Sequence, residues 1–246
     1  MSSPDIERLV APNPGPMTLE GTNTYLVGRD PTIVIDPGPA DEGHIEAVRT
    51  AAEARGGIGA VLLTHSHDDH TGGVELLGIE PEGAHDAHDA AGLGVMPTPG
   101  HAEDHVCFFL EREHPAAGGI TSCFTGDLIL GEGSTIVPPR EHGGSLADYM
   151  ASLHRLNGMN LDRLFPGHGP EVTDPHAKIN EYLAHREQRQ ERLEAALDRG
   201  ERSRGALLAK VWDDVPEQLR GAAAVAMQAH LEMLEDQGRL PADLRD

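Results

Sequence analysis

The run Ala60-Val61-Leu62-Leu63 has the length and apolar continuity of a buried strand, and it ends directly in Thr64-His65-Ser66-His67-Asp68-Asp69-His70-Thr71-Gly72-Gly73. Three imidazoles and a carboxylate, those of His65, His67, Asp69 and His70, fall within six residues. A strand that stops in such a cluster constrains the fold: the sheet has to present that end where other ligand-bearing loops can reach it. Imidazole nitrogen and carboxylate oxygen are the donors a borderline cation such as Zn²⁺ selects, and an open catalytic site keeps a position for water. The cluster therefore points to metal-dependent hydrolytic chemistry.

The same placement recurs along the chain. Short β-rich runs at Thr24-Tyr25-Leu26-Val27 and Thr32-Ile33-Val34-Ile35, and further runs at 106–110 and 120–125, are separated by Gly, Pro and Asp punctuation. Asp36 follows one run, His101 follows Thr98-Pro99-Gly100, Asp127 follows Thr125-Gly126, and His168 sits in Pro166-Gly167-His168-Gly169. Helical patterns are expected at about 44–54, 71–77 and 146–156. Sheets covered by helices, an α/β arrangement, follow from this order.

After about Pro175 the pattern becomes helical, with Ile179, Tyr182, Leu183, Leu193 and Leu197 forming one stripe. Ser203 is expected to cap a second helix carrying Leu207, Leu208 and Val211, and Pro216 to open a third that Gly238 closes. The expected organisation is a catalytic domain over 1–175 and a helical, winged-helix-like domain over 176–246. Residues 1–175 hold 8 basic and 27 acidic groups, against 11 and 14 in 176–246. The arginines of the second segment interleave with acids, as on a solvated helix face laced with ion pairs.

Formal charge is -22, and Lys occurs only at 178 and 210. Such a field repels polyanions at long range. Cys107 and Cys123 lie in apolar strand-like runs and read as buried thiols rather than a disulfide or a nucleophile. No apolar run approaches the roughly 20 residues of a membrane span. Met1 to Gly21 lacks the features of a signal peptide, so a cytoplasmic location and no membrane partner are expected.

His65, His67, Asp69 and His70, followed in order by His101, Asp127 and His168, resemble the ligand pattern of the metallo-β-lactamase superfamily. The opening Asn13-Pro14-Gly15-Pro16-Met17-Thr18-Leu19-Glu20-Gly21-Thr22-Asn23-Thr24-Tyr25-Leu26-Val27 is similar to that of the β-lactamase-like protein 2 branch. Leu130 to Thr135, Leu146 to Leu153 and the helical C-terminus are similar to it as well. The resemblance implies a four-layer αββα sandwich with two metal ions at one edge of the sheets. It further implies that His65, His67 and His101 hold one ion, that Asp69, His70 and His168 hold the other, and that Asp127 bridges them. Zinc is the default, with iron or manganese compatible with the same donors. The implied reaction is hydrolysis by a hydroxide shared between the ions, with Asp69 also orienting it and carrying a proton to the leaving group.

Two departures weaken transfer of a substrate: the segment between Leu77 and Val95 is short and rich in Gly, Ala, Asp and His, and Ala102 follows His101 where Thr or Ser is common. His85 and His88 read as a solvated loop rather than a third metal site. His44, His114, His142, His154, His176, His185 and His230 read as surface or satisfied polar positions, and His105 as a strand-start residue. Asp36 and Asp68 are candidate partners of the ligand histidines. Single-stranded RNA is one candidate substrate, opposed by the acidic composition. A small ester, thioester, lactone or β-lactam is the alternative. Glutathione thioester hydrolysis is disfavoured by the lack of a basic C-terminal pattern, and flavodiiron chemistry by His67 and by chain length. A non-catalytic regulator acting through the C-terminal helices is the reading of another class, and a homodimer is compatible with the apolar stripe.

Overall fold

The computed structural model describes residues 5–83, 92–110 and 122–244. His85, His88 and His114 lie outside them. The described residues fall into two compact units. The first contains 5–83, 92–98, 104–110, 122–135 and 159–175; the second contains 99–103, 136–158 and 176–244.

The first unit holds two four-stranded sheets of the same design. In one, β1 (Ile6–Val10), β2 (Asn23–Val27) and β3 (Thr32–Ile35) run antiparallel, and β4 (Ile58–Leu62) pairs parallel to β3. In the other, β5 (Gly94–Pro97), β6 (Val106–Leu110) and β7 (Ser122–Gly126) run antiparallel, and β8 (Arg163–Pro166) pairs parallel to β7. Antiparallel neighbours can be joined by short turns, whereas a parallel pair needs a longer crossover. Helix α1 (Glu42–Glu53) supplies the first, its N-terminus capped where the Asp41 carboxylate accepts from His44 N at 2.7 Å.

Tyr25, Val27, Ile35 and Leu62 from one sheet meet Val106, Phe108, Phe124 and Phe165 from the other in a shared core. The few aromatics are concentrated here: Phe124 stands edge-on to Tyr25 at 5.3 Å and stacks on Phe165 at 5.2 Å. On the outer side of the first sheet, Ile45 and Val48 of α1 pack with Val34, Val61 and Leu77. The helix expected over 71–77 is two short turns, α2 (Asp68–Thr71) and α3 (Val74–Leu77), separated at Gly72-Gly73. Both glycines pack tightly on the segment after β3. A Cβ on Gly72 would lie 2.8 Å from Ala40 N, and one on Gly73 2.5 Å from Ile45 Cδ1. Cys107 and Cys123 are buried free thiols.

The second unit is built on α4 (Leu146–Asn157), α5 (Pro175–Asp198), α6 (Arg204–Val211) and α7 (Arg220–Asp236). Ser203 caps α6 through its hydroxyl, and Gly238 adopts φ 67 just beyond α7, as the sequence implies. Pro216 opens a short 3-10 turn, Glu217–Leu219, that leads into α7. Leu193, Leu197, Leu207, Val211, Trp212, Met227, Leu231 and Leu234 form this unit's core. Tyr149 is buried in the same unit, with the Arg186 guanidinium 5.3 Å over its ring. No helix among the described residues is long and apolar enough to cross a membrane.

Two stability outcomes follow. Phe124→Ala removes a ring wedged between the sheets and is expected to lower unfolding free energy by about 3–5 kcal/mol in urea denaturation. His230 is buried in the second unit, its Nδ1 2.7 Å from Gln190 Oε1, and burial, then the positive neighbours Arg186, His185 and Arg189, pull its pKa down to about 3. The unfolded chain takes up this proton near pH 6.5 and the folded one does not, so stability should fall as pH drops from about 6.5 toward 3. His230→Gln should flatten that part of the pH–stability curve; an unchanged slope would count against the assignment.

Candidate metal centre

Both parallel pairs end at the same edge of the first unit. Asp36 N donates to Leu62 O at 2.9 Å, which brings the end of β3 alongside the start of the histidine-rich run. Asp36 itself has φ 51, a left-handed conformation that Asp tolerates better than most residues. Gly167 N donates to Gly126 O at 2.8 Å, setting Asp127 beside His168. Two further backbone bonds join the sheets here: Val106 N to Thr64 O at 2.8 Å and Asn23 N to Gly167 O at 2.7 Å.

Hydrogen bonds fix how each imidazole is turned. The buried Asp36 carboxylate accepts from Thr64 N and from Thr64 Oγ1, both at 2.8 Å. Thr64 has then used its only hydroxyl hydrogen, so its 3.0 Å contact with His65 Nδ1 is accepted from the ring, leaving Nε2 as the lone-pair nitrogen. His65 Nε2 lies 3.0 Å from His67 Nδ1. His70 Nδ1 donates to Asp36 Oδ2 at 2.9 Å, and His168 Nδ1 donates to Gly21 O at 3.1 Å. For His65, His70 and His168 alike, the opposite nitrogen faces the cluster. A ring N–H held by a carboxylate or carbonyl is the usual support of a metal-ligating histidine.

Around those nitrogens, Asp127 Oδ1 lies 3.4 Å from both His70 Nε2 and His168 Nε2, and Asp69 Oδ2 lies 3.7 Å and 3.2 Å from the same two atoms. His70 Nε2 is buried and makes no hydrogen bond among the described residues. His65, His70 and Asp127 form one group of mutually close ligand atoms, and Asp69, His70 and His168 another. Burial opposes charge on all of the inner groups, yet opposite charges win. Asp127 first, then Asp36, holds the His70 pKa well above its ordinary value, and Asp127 with Asp69 raises His168 to about 9. His70 and His168 in turn hold Asp127 well below the carboxylate range, and Asp69 is lowered chiefly by His168. The carboxylates are ionised at neutral pH, and a divalent cation would displace protons from imidazoles already aimed at it. The donor set, the orphaned nitrogen and the orientations fit a metal.

The surrounding backbone leaves room only for these groups. A Cβ on Gly167 would lie 2.6 Å from both Asp127 Oδ1 and His70 Cε1. One on Gly126, at φ 45, would lie 2.5 Å from Thr64 Oγ1.

Six sequence-predicted ligands, His65, His67, Asp69, His70, Asp127 and His168, thus stand in the first unit. His101 belongs to the second, where it is buried and its Nδ1 donates to Ile136 O at 2.8 Å. Asp36 is a direct partner of His70, whereas Asp68 is exposed on α2. His44 is a satisfied polar group, 2.8 Å from Thr24 Oγ1. His105 is buried just before β6, its Nδ1 2.8 Å from Thr98 Oγ1 and its ring 5.1 Å from that of His65. Sequence reading missed Thr64 and Asn23; both flank or lie in motifs it did single out, but neither residue type advertises a role.

The match to the metallo-beta-lactamase superfamily model covers residues 17–81. The lactamase-like protein adaB of Aspergillus niger is 37% identical over 88% of this chain and 76% of its own length. The chain belongs to the metallo-β-lactamase superfamily. Within it, the β-lactamase-like protein 2 homolog of Caenorhabditis elegans is 32% identical over 89% of this chain and 80% of its own length. A metallo-β-lactamase family protein of Thermus thermophilus shares the fold, with a TM-score of 0.72 at 23% identity over 95% of this chain and 94% of its own.

Asp36→Ala removes the acceptor that orients His70 directly and His65 through Thr64. Zn²⁺ affinity, measured by competition with a chromophoric chelator, is expected to fall about 10- to 100-fold; unaltered affinity would overturn the orienting role.

Proposed function

We propose that the protein is a dinuclear metal-dependent hydrolase. His65, His67 and His101 would hold one ion, and Asp69, His70 and His168 the other, with Asp127 shared. The observation that carries this reading is the convergence of Asp69, Asp127, His70 and His168, with the second nitrogen of each imidazole tied to an acceptor outside the cluster. For His101, whose Nδ1 donates to the Ile136 carbonyl, Nε2 would be the ligand atom. When bound, the ions supply an acidified water as nucleophile and positive charge for a developing oxyanion. Asp69 is less enclosed than Asp36 or Asp127, and its ionised carboxylate would take up a proton only transiently, passing it to the leaving group.

The substrate class follows from charge. Each described arginine of the first unit is engaged: Arg8 with Gly169 O, Arg29 with Asp5, Arg49 with the carbonyls of Leu76 and Leu77, Arg55 with Asp5 and Glu7, and Arg163 with Glu171. Nucleic-acid affinity rests on cations that neutralise phosphates. A small uncharged ester, thioester or lactone therefore suits this unit better than single-stranded RNA.

The test is a parallel assay of zinc-, iron- and manganese-loaded protein on esters, thioesters, lactones, β-lactams and single-stranded RNA, with Asp69→Ala and His67→Ala as controls. Acyl hydrolysis reduced at least about 100-fold in both variants is expected. RNA cleavage lost in Asp69→Ala would replace the acyl reading with a nuclease. Turnover retained in His67→Ala would sink the site assignment, and absence of any turnover would favour a regulator.

A further inference from the structure

We propose that Asn23 is the positioning residue for the half of the metal centre that contains His168, an inference that rests on the dinuclear reading above. His168 stands in the turn Pro166-Gly167-His168-Gly169, which has to aim one imidazole while lying against Asp127 and His70. Its four carbonyls are all engaged. Pro166 O accepts from Asn23 Nδ2 at 2.8 Å and from the Tyr25 hydroxyl at 2.7 Å. Gly167 O accepts from Asn23 N at 2.7 Å, and His168 O accepts from Gly131 N at 2.9 Å. Gly169 O accepts from Asn23 Nδ2 and from Arg8 Nη1, both at 2.8 Å.

One residue thus holds three of the four carbonyls, and its side chain spans both ends of the turn. Only a carboxamide does this at that length. Its two short side-chain partners are carbonyl oxygens, which can only accept, so the amide must present its nitrogen to them, with the Tyr25 hydroxyl a longer contact at 3.3 Å. An aspartate there would set lone pairs against lone pairs in a buried position. The same short segment also grips the ring, because Gly21 O takes the His168 Nδ1 proton and Thr22 forms a β-bridge with His168. Residues 21–23 therefore fix both the backbone and the imidazole of one ligand. The bonds that Asn23 makes to this turn do not run through His65 or His67, so the effect is specific to one ion.

The test uses the full chain and Zn²⁺ itself. Stoichiometry and stepwise affinity are read by chelator competition, with Co²⁺ absorption spectra as a second signature of ligand geometry. In Asn23→Ala and Asn23→Asp, one ion is expected to bind about 10- to 100-fold more weakly while the other keeps its affinity. His168→Ala should weaken that same ion further. Two ions bound with wild-type affinity in Asn23→Ala, while His168→Ala loses one, would overturn the positioning role and leave the metal centre standing. Unaltered binding in His168→Ala would instead overturn the dinuclear reading. A lower melting temperature of the chelated Asn23→Ala protein with both affinities intact would reduce Asn23 to a structural role and also overturn the proposal. Should Asn23→Ala fail to fold, Asn23→Ser keeps a small polar side chain that cannot span both ends of the turn. A severalfold loss confined to the same ion supports the proposal there, and an unchanged affinity overturns it.

Discussion

Two backbone hydrogen bonds, Val106 N to Thr64 O and Asn23 N to Gly167 O, tie the two sheets together at one edge. The cluster of candidate ligands depends on that closure. Each sheet ends in a parallel strand pair, and a parallel pair delivers two loops side by side at its C-terminal end. One pair delivers Asp36 and the run from Thr64 to His70; the other delivers Asp127 and His168. Without the cross-links these would be two separate loop clusters. With them, His70 and His168 share the oxygen of Asp127.

The candidate ligands were legible because they are chemically conspicuous and occupy strand ends that apolar runs mark out. Their supports were harder to read. Thr64, Asn23 and the carbonyl of Gly21 act through hydrogen bonds whose partners lie far away in sequence, up to 147 residues for His168 and Gly21. Strands divide by composition, since β4 is an edge yet reads as an apolar run. Central β2 and β6 announce themselves as apolar runs, whereas β1, with Glu7 and Arg8, and β5, with Gly94 and Pro97, are edge strands whose charges, Gly and Pro blunt the β signal. Strand β8 is another edge, four residues long and ended by Pro166. The break between α2 and α3 could not be read from periodicity, because it comes from the close packing of Gly72 and Gly73 on a segment much earlier in the chain.

Charge acts on two scales. Over the whole chain, a formal -22 disfavours encounter with polyanions. Within the centre, a few carboxylates do something different: they keep imidazoles charged or aimed despite burial that would neutralise them. The global acidity bears on which substrates approach, and the local acidity on which cation is held.

Asp36 links two of the candidate ligands, His65 and His70. Its Oδ2 receives both the Thr64 hydroxyl and the His70 ring, and Thr64 in turn receives His65. A single oxygen therefore sets the tautomer of both His65 and His70. A shift of Asp36 that suits one histidine is felt by the other, so the two rings cannot be reoriented independently. His168 escapes this coupling, since its ring proton goes to Gly21 and the turn that carries it is held by Asn23. One ligand can thus be adjusted without disturbing the hydrogen bonds that hold His65 and His70.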